Sequence, residues 1–217
     1  TSPGCIKNAK QGCPICNKPG LNQKIILNYL IKNNISFENE KNIKEYDLNS
    51  LRSKIGVVLQ DTYLFAGSIM DNIRYGRLDA SDEEVINAAK AASAHSFIKH
   101  LPNQYETKIA TEGSNLSQGQ KQLLAIARAI LADTDILILD EATSNIDTRT
   151  ELQIQAGLNN LMRGRTSFVI AHRLKTIEKA DQILVIKDGS ILEKGNHESL
   201  MEDRGFYFDL YTSQFKI

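Results

Sequence analysis

The chain has 217 residues, of which 41% are hydrophobic, and its 26 basic residues balance its 26 acidic residues. This length and hydrophobic content support a sizeable core in one α/β domain or two lobes. The balanced charge argues against nucleic acid or an anionic membrane surface as a partner, and no apolar run approaches the roughly 20 residues needed to cross a bilayer. Three cysteines without a secretory signal favour a reducing compartment over a disulfide framework.

Cys13 and Cys16, near the N-terminus, permit a redox interpretation. They lie in residues 12–20, Gly-Cys-Pro-Ile-Cys-Asn-Lys-Pro-Gly, and a Cys-x-x-Cys pair at a helix N-terminus lowers the pKa of its first thiol. With the apolar segment that follows, the pair resembles the start of a glutaredoxin, but that family needs a strand that residues 1–11 scarcely offer. Cys5 would add a third thiol for a metal site, although no nearby histidine completes four ligands. An inert, replaced N-terminus and a decayed phosphate-binding loop are the other two interpretations.

From Lys54 onward, strand and helix patterns alternate, which predicts an α/β fold with a mostly parallel sheet and helices on both faces. Ser-Asp-Glu-Glu at residues 81–84 is a capping box that predicts a helix running through Ala94. Ser117 predicts the N-cap of a second helix, whose N–H groups form a candidate anion site with the Ser117 hydroxyl and Gly119. An ordinary capped helix explains the same residues. The apolar face of this second helix comprises Leu123, Leu124, Ile126, Ala127, Ile130 and Leu131.

Two strands further along the chain end in residues whose side chains are candidates for metal binding or catalysis. Residues 136–139 are apolar and precede Asp140 and Glu141, which predicts a buried parallel strand with two carboxylates at its end. Asp140 could hold Mg²⁺ through water and Glu141 could orient or deprotonate a water; the alternative is two solvated acids. Residues 167–171 predict a strand beside it, ending at His172. A histidine there is more often a satisfied polar residue than a catalyst.

The C-terminal part carries structural signals. Asp188-Gly189, between two short apolar runs, predicts a hairpin turn. Residues 205–211 have the apolar spacing of a helix packed on the domain. The aromatic side chains of that helix are therefore expected in the core and not in a cofactor site.

Five segments resemble, in order, the motifs of ABC transporter nucleotide-binding domains. Gln60, in Val-Val-Leu-Gln-Asp, matches the Q-loop, and Leu-Ser-Gln-Gly-Gln at residues 116–120 matches the signature motif. Residues 136–140 match the Walker B strand, residues 144–147 the D-loop and His172 the switch histidine. Each motif is weak by itself, but their order and spacing are those of the family.

The residues around these motifs resemble the exporter subfamily. Residues 63–76, directly after the Q-loop, resemble the exporter-type arrangement in which the transmembrane half docks beside Gln60. Residues 111–115 resemble the exporter segment near that docking surface, and residues 187–198 also match exporters. DNA-repair and chromosome-organising relatives usually carry long insertions between the Q-loop and the signature. This sequence has none, which favours a transporter over a nucleic-acid machine.

The family's phosphate-binding P-loop, a glycine-rich turn ending in Gly-Lys-Ser/Thr, is expected roughly forty residues before Gln60. Residues 12–20 keep the first glycine and Lys18 in register, but Asn17 replaces the second glycine and Pro19 replaces the hydroxyl that binds Mg²⁺. Asn adopts a left-handed backbone less readily than Gly, and Pro offers neither an N–H nor a hydroxyl. We therefore predict that an intact Walker A motif is missing.

The resemblance implies a P-loop NTPase-like α/β domain at residues 41–217, with a helical subdomain at about 70–132. An atypical segment at residues 1–40 precedes it, so the N-terminal part of the fold is expected to be incomplete or replaced. The implied function is an ATP-binding subunit of an exporter at the cytoplasmic face of the membrane. It would pair head to tail with a second such domain and attach to a transmembrane partner. The alternatives are an inert dimerisation partner and a thiol oxidoreductase built on the Cys13/Cys16 pair.

The same resemblance implies roles for individual residues, with ATP and Mg²⁺ as ligands. Glu141 and His172 would act in catalysis, and Gln60 and Asp140 would hold Mg²⁺ through water. The signature residues would contact the γ-phosphate of ATP held by the opposite subunit. The implied nucleotide-binding residues are Gln60, Ser117, Gln118, Gly119, Gln120, Asp140 and Asp147.

Overall fold

The computed structural model describes residues 47–59, 62–110, 113–140, 146–171, 174–188 and 190–215. The chain divides into two compact units, the first formed by Thr1–Leu51 with Asp188–Ser190 and the second by Arg52–Lys187 with Ile191–Ile217. The second unit carries the three-stranded sheet and the longer helices. The predictions that concern residues 1–46, including the cysteines and Lys18, lie outside the described residues.

A three-stranded parallel sheet forms the centre of the second unit. Its order is β1 (Ile55–Val58), β4 (Ile136–Asp140) and β5 (Thr166–Ile170). Both strand pairs are parallel, with Ile138 of β4 opposite Val57 of β1 and Phe168 of β5. The four apolar residues of β4, the central strand, are buried, as expected for a parallel sheet covered on its faces. The predicted parallel sheet and the predicted pairing of the two strands are thus confirmed.

The long helix α5 (Gln118–Ala132) packs against the sheet and three other helices. Its neighbours are β1, α2 (Ile69–Arg74), α3 (Asp82–Ala91) and α6 (Thr148–Met162). Its predicted apolar face is confirmed: five of the six named residues are buried and the sixth, Ile130, is partly buried. A helix that contacts partners on several sides buries a wide stripe, as an amphipathic core helix must.

The helix predicted from Ser81 begins where expected but ends early. Ser81 caps α3 and accepts from the Glu84 N–H, so the capping box is confirmed. The helix ends at Ala91 and not at Ala94. Ser93 takes a left-handed backbone (φ 62°), and the Ala94 N–H donates to the Ala89 carbonyl at 2.8 Å, which closes the helix end.

The remaining elements are short. The hairpin predicted around Asp188 is matched by β6 (Ile183–Lys187) and β7 (Ser190–Gly195), which form a two-stranded sheet, and the predicted C-terminal helix is present with Tyr207 buried. Strands β2 (Gly67–Ser68) and β3 (Lys108–Ile109) form an antiparallel pair. The other short elements are α1 Leu48–Ser53, α4 His95–Ile98, a 3-10 turn Gln104–Glu106, α7 Leu174–Ile177, α8 His197–Glu202 and α9 Phe206–Phe215.

Two apolar clusters hold the described part of the chain together. The larger one joins α2, α3, α5 and α6 to the sheet. The smaller one is formed by Ile183, Val185, Leu200 and Tyr207 near the C-terminus. Within the described residues, no helix combines the length and the apolar character needed to cross a bilayer.

Candidate functional site

The N-terminus of α5 is a closed capping box. The Ser117 hydroxyl accepts from the Gln120 N–H at 3.2 Å, and the Gln120 side-chain oxygen accepts from the Ser117 N–H at 3.0 Å. Ser117 and Gln118 are exposed, whereas Gly119 is buried. The Ser117 hydroxyl keeps its own proton for donation, and the helix dipole places partial positive charge at this end. The exposed face therefore suits an anion, although two of its N–H groups are already engaged.

Gly119 has a packing role inside the chain. A Cβ on Gly119 would lie 2.3 Å from Thr150 Cγ2 and 3.4 Å from Ile146 Cγ2. The N-terminal ends of α5 and α6 therefore approach each other more closely than a side chain at position 119 would permit. This contact joins the signature-like segment to the end of the D-loop-like segment.

Asp147 caps α6. Its carboxylate accepts from the Thr150 N–H at 3.0 Å. The backbone hydrogen bond from Thr150 lowers the pKa of Asp147, so the carboxylate is ionised at neutral pH. Asp147 thus caps a helix, and this structural role is separate from its predicted role in nucleotide binding.

Asp140 is the last residue of β4 and pairs in register with Ile170, the last residue of β5. It is half-buried at the carboxyl edge of the sheet, where ligands bind in open α/β folds. Gln60, Glu141 and His172 lie outside the described residues. They follow the ends of β1, β4 and β5 by one or two positions in sequence.

Sequence reasoning missed a partly buried arginine on α5. Arg128 donates to the carbonyls of Asn72 at 2.9 Å and Tyr63 at 3.2 Å, and to the Asn72 side-chain oxygen at 3.3 Å. Its guanidinium carbon lies 5.4 Å from the ring centre of Phe65 and 5.3 Å from that of Tyr75. Burial lowers the pKa of Arg128 to about 10, so it remains charged at neutral pH. A charged residue inside the apolar stretch of α5 was the available signal.

A second polar contact lies in the helical region. His95 Nδ1 is 2.7 Å from the Tyr105 hydroxyl. Burial lowers the pKa of His95, with smaller contributions from Lys99 and Lys90, and burial raises the pKa of Tyr105 to about 12. Neutral imidazole is therefore the favoured form of His95 in the folded protein.

A parallel sheet whose central apolar strand ends in an acid, together with two capped helices, defines an α/β domain of the class that binds ligands at the carboxyl edge of its sheet. The sequence model described as "ABC transporter" matches residues 23–144, more than half of the chain. The chain therefore belongs to the ABC transporter family.

Individual relatives agree with the family. The chain is 62% identical over 174 residues to the ABC transporter ATP-binding protein YfiC of Bacillus subtilis. The matched region covers 80% of this chain and 29% of that protein. It is 53% identical over 161 residues to a fatty acid ABC transporter ATP-binding/permease protein of Mycobacterium tuberculosis, covering 74% of this chain and 26% of that protein. The chain thus spans less than a third of the length of these curated relatives.

A solved structure supports the exporter type. A bacterial Atm1-family ABC exporter with ATP bound superposes with a TM-score of 0.76 at 39% identity, covering 88% of this chain and 34% of that chain. The mixed α/β fold with a parallel sheet is therefore that of an ABC exporter ATPase domain, as the motifs predicted.

Proposed function

We propose that this chain is the ATP-binding part of an ABC exporter and couples ATP-driven pairing of two such domains to transport by a transmembrane partner. The observation that carries the proposal is the exposed, Ser117-capped end of α5, held against the Asp147-capped end of α6. The signature-like segment is thereby presented on the surface by a closely packed helix pair. The assembled protein would lie at the cytoplasmic face of the membrane through its transmembrane partner.

In this proposal the signature face acts on nucleotide held by the second domain. Ser117 and Gln118 are exposed at a helix N-terminus, where a phosphate gains both hydrogen bonds and the helix dipole. Gly119 and Gln120 support this surface from within, through the contact with Thr150 and the capping box. A head-to-tail dimer would bring this face to the partner's γ-phosphate.

The other half of the site would form at the carboxyl edge of the chain's own sheet. The carboxylate of Asp140 is a hard oxygen donor at that edge, which fits a water-mediated Mg²⁺ site shared with Gln60. Bound there, Mg²⁺ would neutralise phosphate charge. Glu141, next in sequence, would orient or deprotonate water, and His172 would position it with Glu141. Asp147 would contribute to nucleotide binding from the start of α6.

We further propose that this chain binds the phosphates of its own ATP weakly. The family match begins at residue 23, after the segment with Asn17, Lys18 and Pro19. On this proposal residues 1–40 are an atypical segment and residues 41–217 the ATP-binding domain, with the helical subdomain at about 70–132. The same residues favour a second candidate, an inert domain that only dimerises with an intact one. A thiol oxidoreductase has no support from the family match.

Calorimetry with Mg-ATP tests the proposal that the chain alone binds ATP weakly. The chain alone should show little or no binding heat, and Lys18→Ala should change nothing, with Lys10→Ala as the matched control. Tight binding that Lys18→Ala abolishes and Lys10→Ala preserves would contradict it.

Hydrolysis by a mixture tests the ATP-dependent function. Adding the chain to the intact ATP-binding region of the Bacillus subtilis relative should raise ATP hydrolysis above that of the intact region alone. If the mixture dimerises without added hydrolysis, the inert-partner alternative is correct.

A further inference from the structure

Arg128 connects α5 to a segment that is distant in sequence. Its three side-chain nitrogens donate to atoms of Tyr63 and Asn72, 65 and 56 positions away. The rings of Phe65 and Tyr75 lie within cation–π distance of the same guanidinium. One partly buried charge therefore joins the loop at residues 63–68 and helix α2 to the middle of α5.

Asn72 extends this connection. Its side-chain oxygen accepts from the Phe65 N–H at 2.9 Å, and its side-chain nitrogen donates to the carbonyls of Phe65 at 2.9 Å and Ser68 at 3.0 Å. Asn72 is only 2% exposed, so these bonds are shielded from water. Buried, fully bonded polar networks fix one arrangement of the elements they join. The loop, α2 and α5 are thus connected into one hydrogen-bonded region.

Both ends of this connected region are exposed. At one end, Tyr63 and Tyr75 are 46% and 38% exposed. At the other end, Ser117 caps α5 eleven residues before Arg128, about 16 Å away along a helix that rises 1.5 Å per residue. A displacement applied to the exposed aromatic residues would be passed through Arg128 to the signature end of α5.

We propose that Arg128 is a positioning residue that makes residues 63–75 move together with α5, so that a partner pressing on Tyr63 and Tyr75 displaces Ser117. This inference rests on the proposed function, since it specifies how a transmembrane partner would act on the signature face. Lysine cannot replace arginine here, because a single ammonium group cannot reach three acceptors in a fixed planar arrangement.

Spin-label distances test the mechanical claim directly. Labels at the exposed positions Ala66 and Gln118, in a full chain whose three cysteines are replaced by serine, report the separation of the loop from the start of α5. Arg128→Lys should at least double the width of the distance distribution. Arg165→Lys is the matched control: Arg165 is also largely buried and bonds Asp133 and the Leu161 carbonyl, and its variant should keep the wild-type width.

Phe65→Leu guards against a folding failure of Arg128→Lys. It removes one ring facing the guanidinium and leaves the three hydrogen bonds of Arg128 in place, so an intermediate broadening is expected. A wild-type width in a folded Arg128→Lys would overturn the proposal. If Arg128→Lys does not fold, a wild-type width in Phe65→Leu would overturn it equally.

ATP hydrolysis separates positioning from plain stabilisation. With the transmembrane partner assembled in lipid, Arg128→Lys should lower hydrolysis at least fivefold, whereas in the soluble mixture of ATP-binding domains the rate should stay within twofold of wild type. An equal loss in both settings would show a structural role only and overturn the inference. No added hydrolysis by the wild-type chain in either setting would count against the proposed function, and the label distances would then decide the inference alone.

Discussion

Replacing Gly119 with alanine should destabilise the protein, because the added methyl group has no room. The Cβ would lie 2.3 Å from Thr150 Cγ2, where carbon atoms prefer a separation of about 3.5–4.0 Å. Thr150 lies in the first turn of α6, and side-chain caps at Ser117 and Asp147 anchor both helix ends. Both helices also contribute buried residues to the larger apolar cluster, so neither can move away from the other without disturbing that packing.

The magnitude follows from two opposing effects. Forcing a methyl group into a packed contact costs about 1–3 kcal/mol. Alanine recovers up to about 1 kcal/mol over glycine in a helix, and less at its first turn. Gly119→Ala should therefore lower the free energy of unfolding by about 1–2 kcal/mol.

Thr150→Ser supplies the decisive comparison, because it removes Cγ2 and keeps the hydroxyl. The double variant Gly119→Ala/Thr150→Ser should unfold with a free energy within about 0.5 kcal/mol of Thr150→Ser alone, a non-additivity expected only between contacting residues. Gly157→Ala is the matched control. Its Cβ would lie 2.8 Å from the Ala92 carbonyl oxygen, a backbone atom, so Thr150→Ser should not rescue it.

Urea denaturation followed by far-UV circular dichroism measures all five variants. The reasoning fails if Gly119→Ala is neutral or stabilising. It also fails if Thr150→Ser rescues Gly157→Ala as well as it rescues Gly119→Ala, because the rescue would then be unspecific.

Three further predictions use other parts of the molecule. The unfolded protein protonates His95 near its ordinary pKa of 6.5 and the folded protein only at lower pH, so stability should fall as pH drops below 6.5. The melting temperature should then decrease less between pH 7.5 and 5.5 in His95→Gln, and an unchanged decrease would contradict this. Ser81→Ala removes the α3 cap and should cost about 1 kcal/mol in urea denaturation; a change below about 0.3 kcal/mol would count against the cap. Iodoacetamide at pH 6 should alkylate Cys13 and Cys16 no faster than Cys5, and rapid selective reaction of Cys13 would revive the oxidoreductase alternative.

The elements that the sequence predicts well are those specified by neighbouring residues. Four apolar residues before Asp140 are enough to identify the central strand, and Ser117 followed by Gln120 is enough to identify a helix start. The same signal, Ser68 followed by Asp71, marks the start of α2 and could have predicted that helix too. The C-terminal end of α3 was wrong by three residues because no glycine marks it, and Ser93 takes the left-handed position.

The missed features depend on residues far apart in the chain. The closeness of Gly119 to Thr150 follows from how α5 and α6 pack, 31 positions apart, and no local pattern encodes it. Arg128 reaches Tyr63 over 65 positions, and an isolated charge in an apolar stretch does not indicate which partners it will meet. The two-residue strands β2 and β3 are too short to show a period.

The central claim is that the signature face of this chain serves nucleotide held by another domain. The direct measurement is steady-state ATP hydrolysis by this chain mixed with the intact ATP-binding region of the Bacillus subtilis relative, using two variants of this chain. Ser117→Arg should abolish the added hydrolysis, because a bulky cation would occupy the exposed end of α5, while Ser114→Arg, three residues earlier and also exposed, should leave it unchanged. Glu141→Gln should change the added hydrolysis little, since Glu141 belongs to the half-site whose phosphate-binding loop is proposed to be degenerate. A large loss from Glu141→Gln, with Ser117→Arg still active, would show that the chain hydrolyses its own ATP and would contradict the account.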